Sequence, residues 1–175
     1  MFGIDTLQDR KYIMENIFPA MRIQMPAAAH LWVGVKPYST RYEYILRAAG
    51  ASRFDSIEPD NSQIVFGSSQ NHYVDIAQNI DKYVGPGTYD IVIANGVLGW
   101  GIDSPSQIQD FYTVTSKVMK NDGVLVIGYN AHIGQDHTHG IEQFFQKTTI
   151  GNLPQKMQFT TEWKHTFEFY QKKPF

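Results

Sequence analysis

Residues 31–57 constrain the fold more than any other stretch, because they write out a strand, a turn, a helix and a second strand within about thirty residues. Leu31-Trp32-Val33-Gly34-Val35 is a short apolar run closed by Lys36-Pro37-Tyr38-Ser39-Thr40. Tyr42, Ile45, Leu46 and Ala49 then recur at helical spacing up to a glycine stop at Gly50. Phe54-Asp55-Ser56-Ile57 follows as a second strand, and Glu58-Pro59-Asp60 ends it, since proline has no N–H to give a ladder. Strand, helix and strand so closely spaced form a βαβ unit with parallel strands and a right-handed crossover.

The rest of the chain extends this pattern. His72-Tyr73-Val74 predicts a third strand ending at Asp75, and a helical stretch to Val84 is broken by Gly85-Pro86-Gly87. Residues 61–70 read as a short helix end or a turn. The continuous apolar run Tyr89-Asp90-Ile91-Val92-Ile93-Ala94 predicts a central strand covered on both faces, stopping at Asn95-Gly96. Ser104-Pro105 supplies an N-cap and a first-turn proline for a helix ending near Asn121-Asp122-Gly123, and residues 124–128 form a fifth strand. A helix is expected around residues 141–146, and the alternating segments 157–161 and 165–171 predict a terminal antiparallel hairpin. Ahead of all this, residues 6–17 predict an amphipathic helix ending before Pro19, with a connector to residue 30. One domain spanning residues 1–175 is expected, with 1–30 as helix and connector and 31–175 as an α/β core.

Composition narrows the function classes. Fifteen basic and seventeen acidic side chains, a formal charge of −2 and no Lys/Arg block give no basic stripe, so nucleic acid is not an expected partner. The chain has no cysteine, which removes disulfides, thiolate metal sites and cysteine nucleophiles and fits a reducing compartment. The first residues lack a basic stretch followed by an apolar one, and no apolar run is long enough to span a bilayer. These features predict a cytoplasmic protein that engages no membrane; its oligomeric state, a homo-oligomer among the possibilities, stays open.

The order of elements, with a glycine turn after the first strand, acids after the second and third, a long apolar fourth strand and a terminal hairpin, resembles the class I S-adenosylmethionine-dependent methyltransferases over roughly residues 30–172. The resemblance implies a Rossmann-like, doubly wound, mostly parallel sheet with a C-terminal antiparallel hairpin. It implies S-adenosylmethionine as cofactor and S-adenosylhomocysteine as product. Gly34, Val35, Pro37 and Tyr38 stand where the family places the turn under the methionine part, although the family's usual acid before the turn and its further glycines are absent. Glu58, 24 residues after Gly34, corresponds to the acid that accepts both ribose hydroxyls, a spacing general to nucleotide folds. Asp60 takes that role if the strand runs two residues longer. Asp75 with Ile76 corresponds to the adenine contact. Asn95, Gly96 and Val97 match the segment lining the methyl-transfer face, and Trp100 is the aromatic candidate for an acceptor wall.

Other readings compete at several of these positions. Gly34 could serve only close packing, and Glu58 could be a solvated strand-end acid. His132 follows the fifth strand near the catalytic edge and is the candidate general base. His132, Asp136, His137 and His139 match no ligand spacing, so no metal is expected there. Asn95 is followed by Gly96-Val97-Leu98 in place of the Asn/Asp-Pro-Pro-aromatic segment of amino-methylating relatives, which favours a small-molecule, sugar or other oxygen acceptor. A methyltransferase-like scaffold without activity is the alternative, favoured by the eroded glycine turn. A nicotinamide-dependent oxidoreductase is disfavoured because Gly34-Val35-Lys36-Pro37-Tyr38-Ser39 puts bulky side chains where pyrophosphate must approach backbone.

Overall fold

The computed structural model describes residues 7–131 and 136–174. The chain opens with a continuous helical run made of α1 (Gln8–Tyr12), a π-helical turn (Ile13–Ile17) and α2 (Phe18–Gln24). The run was expected to stop before Pro19 but passes through it. Proline lacks the N–H of a regular helix and its ring crowds the carbonyl one turn back, and the widened π turn immediately before it accommodates both defects.

Then come β1 (Ala29–Val33), a 3-10 turn (Pro37–Arg41), α3 (Tyr42–Ala48), β2 (Arg53–Ile57), a 3-10 turn (Asn61–Phe66) and β3 (Asn71–Tyr73). A 3-10 helix (Ala77–Lys82) leads to β4 (Tyr89–Asn95), α4 (Pro105–Val118) and β5 (Met119–Asn130). The last part holds a 3-10 turn (Ile141–Gln143), β6 (Phe145–Lys147), β7 (Lys156–Gln158) and β8 (His165–Lys172).

The strands form one sheet in the order β3-β2-β1-β4-β5-β8-β6, with β7 also on β8. The first five pair in parallel, and β8 runs antiparallel to β5 from Val124↔Gln171 to Asn130↔His165. β6 and β7 lie end to end along the far edge of β8. Strand order reverses between β1 and β4, so the carboxyl ends of these two strands frame the crevice where open α/β sheets bind ligands.

Alternate residues of the central strands face opposite sides, which divides the core in two. On one side Leu31, Val33, Val92, Leu125 and Ile127 pack with Ile108, Phe111 and Tyr112 of α4. On the other, Trp32, Ile91, Ile93, Val126 and Phe167 pack with Ile13, Ile17, Phe18 and Met21 of the N-terminal helix and with Tyr42 and Leu46 of α3. Thus the sheet carries helices on both faces, with an antiparallel margin: the doubly wound arrangement with a terminal hairpin that was expected.

α4 begins where the Ser-Pro pair predicts. Ser104 Oγ accepts from the Gln107 N–H at 3.2 Å, and the Gln107 side chain accepts from the Ser104 N–H at 3.0 Å. Its end differs: the helix stops at Val118, and Asn121-Asp122-Gly123 lies inside β5 as an irregularity. Asp122 sits there at φ 62°, and the β4–β5 register shifts between Tyr89 and Ile91. The helix expected up to Val84 is a 3-10 helix (Ala77–Lys82) that turns Ala77 and Ile80 inward. The one expected around 141–146 shrinks to Ile141–Gln143, because Phe145–Lys147 pairs with β8 and covers an edge that would otherwise be open. Among the described residues no helix is long and apolar enough to cross a membrane.

Candidate functional site

The turn leaving β1 is fixed at its first residue. Gly34 stands at φ +79°, its N–H donates to the Ile57 carbonyl at 2.9 Å, and a Cβ there would lie 2.5 Å from Val97 Cγ1. Glycine is therefore required both by the left-handed backbone and by the approach of the turn after β4. Trp32 reaches back to donate its indole N–H to the Gly34 carbonyl at 2.7 Å. Lys36 precedes the 3-10 turn opened by Pro37, and Ser39 closes it by donating its hydroxyl to the Lys36 carbonyl at 2.8 Å. A single glycine and a 3-10 turn thus stand at the end of β1, without a glycine-rich loop.

Glu58 follows β2 beside that turn and is only 7% exposed. Its Oε2 accepts from the Val35 N–H at 3.2 Å and its Oε1 from the Asp60 N–H at 3.1 Å. A carboxylate has about four acceptor positions, so two oxygens each holding one backbone donor keep further capacity. Asp60 turns its carboxylate to the Ser62 N–H at 2.9 Å and the Gln63 side-chain amide at 3.4 Å, capping the Asn61–Phe66 turn. Of the two acids, only Glu58 lines the crevice.

That crevice has about 700 Å³ of free space open to solvent. Gly34, Tyr38, Glu58, Ile76, Asn95, Gly96, Val97 and Trp100 all line it. The other expected residues do not. Val35 contributes through its N–H on Glu58, Pro37 starts the 3-10 turn, and Asp60 is a cap. Asp75 directs its carboxylate away, to the side-chain amide of Asn79 and the N–H of Ile76, each at 2.8 Å, and to the Tyr83 hydroxyl at 3.1 Å. These hydrogen bonds, that of Asn79 foremost, hold its carboxyl below the usual carboxylate range. His132 lies outside the described residues.

Lys36, Gln78, Ile102 and Gln107 also line the crevice and were missed. The first was legible as the cation next to the turn. The others come from segments 44 or more residues beyond Gly34, which no spacing rule connects to it.

A second cavity, with about 1330 Å³ of free space open to solvent, lies beside the first and shares Lys36, Tyr38, Gly96 and Trp100 with it. Its remaining walls include Asp9 and Arg10 of α1, Asn130 at the end of β5, and Phe159, Trp163 and His165 of the β7–β8 hairpin. The Arg10 guanidinium lies over the Tyr38 ring, 3.8 Å from its centroid, and pairs with Asp9. Arg10 Nε is buried without a hydrogen-bond partner.

His165 sits at the back of this cavity, 7% exposed. Its Nδ1 is 2.7 Å from Asn130 Oδ1, its Nε2 is 2.9 Å from Asn95 Oδ1, and Asp9 lies 3.9 Å from Nε2. Burial lowers its pKa to about 4, against the opposing pull of Asp9, so the ring is neutral at pH 7. A neutral ring donates from one nitrogen only, and one of the two amides must therefore turn its NH2 to the ring. Asn95 Nδ2 otherwise has no partner, which assigns that role to Asn95 and the Nδ1–H donation to Asn130. Among the described residues no group of three His, Cys, Asp or Glu side chains could hold a metal ion. Asp136 is taken up by the Thr138 N–H at 2.9 Å, and His137 is buried with its ring 5.0 Å from that of Tyr129.

No protein-family model and no curated protein matches this sequence. Solved structures do match in fold. The N-methyltransferase NodS of Bradyrhizobium japonicum WM9, in complex with S-adenosyl-L-homocysteine, superposes with a TM-score of 0.69 at 14% identity, covering 99% of this chain and 94% of NodS. A SAM-dependent methyltransferase of Archaeoglobus fulgidus superposes with a TM-score of 0.62 at 11% identity, covering 94% of each chain. At such identities the likeness is one of architecture, and the chain has the Rossmann-like fold of the class I S-adenosylmethionine-dependent methyltransferases.

Proposed function

We propose that this chain is an S-adenosylmethionine-dependent methyltransferase, with the donor in the first crevice and a small-molecule acceptor in the second. The observation that carries the reading is Glu58. A buried carboxylate held by two backbone N–H groups, with acceptor capacity left toward a crevice at the switch in strand order, suits a vicinal diol and would repel a phosphate. The one-glycine turn argues the same way, since side chains stand where a dinucleotide's pyrophosphate would need bare backbone.

In this reading Gly34 brings the turn under the methionine part, and Lys36 offers an ammonium to its carboxylate. Ile76 gives an apolar face to the adenine, while Asp75 stays with Asn79 and Tyr83. Bound there, the donor would supply an electrophilic methyl group that passes to the acceptor with the thioether sulfur as leaving group, so the protein's part is chiefly to align the two molecules. The four residues common to both cavities mark where methyl and acceptor meet, with Trp100 and Val97 as walls. Asn95, fixed by His165, shapes the crevice floor.

Calorimetric titration with S-adenosylmethionine and S-adenosylhomocysteine, with NAD as control, tests the reading. Saturable binding of both at micromolar levels is expected, and Glu58→Ala should weaken it about 100-fold, the loss of two charge-assisted hydrogen bonds. Absence of binding to either compound would overturn it.

A further inference from the structure

The second cavity carries a chemical signature of its own. Arg10 faces it as a cation and Asp9 as a carboxylate already paired with Arg10, while Lys36, on the reading above, is committed to the donor's carboxylate. His165 adds no charge at neutral pH, because burial holds its ring unprotonated. A cationic acceptor would thus meet no uncommitted carboxylate among the lining residues and, on the reading above, a sulfonium beside it. An anionic acceptor oxygen instead meets Arg10, a guanidinium that lines the cavity and is held in place by Asp9 and Tyr38.

The walls also present flat apolar surface. Trp100 and Trp163 are 58% and 50% exposed, large areas for indoles at the mouth of a cavity, and a ring laid against them removes apolar surface from water. The Arg10 guanidinium is held over the Tyr38 ring, which fixes a planar donor for a carboxylate in the cavity wall.

We propose that the second cavity takes a small ring-bearing carboxylate, its acid group on Arg10 and its ring against Trp100 and Trp163, with a ring hydroxyl as methyl acceptor. The inference rests on the cofactor reading of the first crevice. In the transfer the hydroxyl oxygen bonds the methyl carbon, the C–S electron pair stays on sulfur as the neutral thioether, and the hydroxyl proton goes to water. Aromatic acids and sugar acids share this chemistry, and the test separates them.

The experiment titrates the full chain, loaded with S-adenosylhomocysteine, with 4-hydroxybenzoate and with glucuronate, each against its neutral counterpart, 4-hydroxybenzyl alcohol or glucose. Calorimetry is paired with tryptophan fluorescence. At least one carboxylate should bind about tenfold tighter than its counterpart, a margin that Arg10→Gln abolishes and Arg10→Lys partly restores. Trp163→Leu, at a residue that lines the second cavity and not the first, should weaken the ring's binding while S-adenosylhomocysteine still binds. Which arm shows the margin identifies the ring. If S-adenosylhomocysteine binds normally but neither carboxylate outbinds its counterpart, or the margin survives Arg10→Gln, the inference is overturned while the cofactor reading stands. If S-adenosylhomocysteine itself fails to bind, both fall.

Discussion

Asp55 within β2 and Glu58 just past its end are both buried acids of one short segment, yet they have opposite surroundings. Asp55 is fully covered and saturated: it accepts from Arg53 Nε at 2.7 Å, Asn71 Nδ2 at 3.0 Å, and the hydroxyls of Tyr89 at 2.7 Å and Tyr73 at 3.4 Å. Glu58 accepts two backbone donors and faces open space. Glu168 on β8 repeats the first pattern, with the Tyr129 hydroxyl at 3.0 Å, the Tyr170 hydroxyl, and Lys147 and Lys156 at 3.4 and 3.2 Å around it. What separates a structural acid from a candidate binding acid here is unspent acceptor capacity rather than burial, since all three are buried.

The contrast can be broken most sharply at its structural end. Asp55→Ala leaves the Tyr89 hydroxyl and Arg53 without their common partner and should lower unfolding stability by about 4 kcal/mol in urea melts. Its affinity for S-adenosylhomocysteine should stay within about threefold. A variant that keeps its stability but loses the ligand would reverse the assignment.

Two histidines place the same contrast on a pH axis. His30, within β1, and His165, beside the second cavity, each have the pKa lowered to about 4 by burial, with Asp90 and Asp9 respectively opposing the shift. Each ring binds a proton near pH 6.5 once the chain unfolds, so the unfolded state is the more protonated between pH 6.5 and about 4. Stability is therefore intact above pH 6.5 and falls as pH drops through that window, by about 3 kcal/mol for each ring. His165→Gln should remove its share of this slope, which urea melts from pH 7 to 4 would register; an unchanged slope would contradict the buried neutral ring.

Glu58→Ala should do the converse of Asp55→Ala. Beyond the affinity loss already stated, its stability should fall by no more than about 1–2 kcal/mol, the cost of two backbone donors left to water. The smallest effect belongs to Asp75→Ala, whose carboxylate points away from the crevice: the affinity for S-adenosylhomocysteine should change less than about threefold. A tenfold loss in that titration would return Asp75 to the adenine contact.

Much of the architecture was legible because it is written in local signals: the glycine turn after β1, the unbroken apolar run of β4, the Ser104-Pro105 cap, the alternation of β8. What misled was punctuation whose meaning depends on neighbours. Asn121-Asp122-Gly123 reads as a helix stop, yet pairing with β4 makes it an irregularity inside β5. Pro19 reads as a helix end, yet the π turn carries the helix across it. In the site, the residues next to strand ends were identifiable by spacing, Glu58 above all. Asp9, Arg10 and His165 were not, because one cavity gathers them from opposite ends of the chain and each looks locally like an ordinary polar residue.

The π turn at Ile13–Ile17 bears on how such a cavity could have arisen. A π turn holds one residue more than the α turn it interrupts, and an α-helix advances about 100° per residue. Residues ahead of it are therefore rotated by about that angle relative to the buried anchors Phe18 and Met21 behind it. Inserting or deleting a single codon in this stretch would swing Asp9 and Arg10 toward or away from the cavity while leaving the sheet, the glycine turn and Glu58 in place. On the proposed reading, selectivity for the acceptor would then drift by indel, separately from the substitutions that maintain the first crevice.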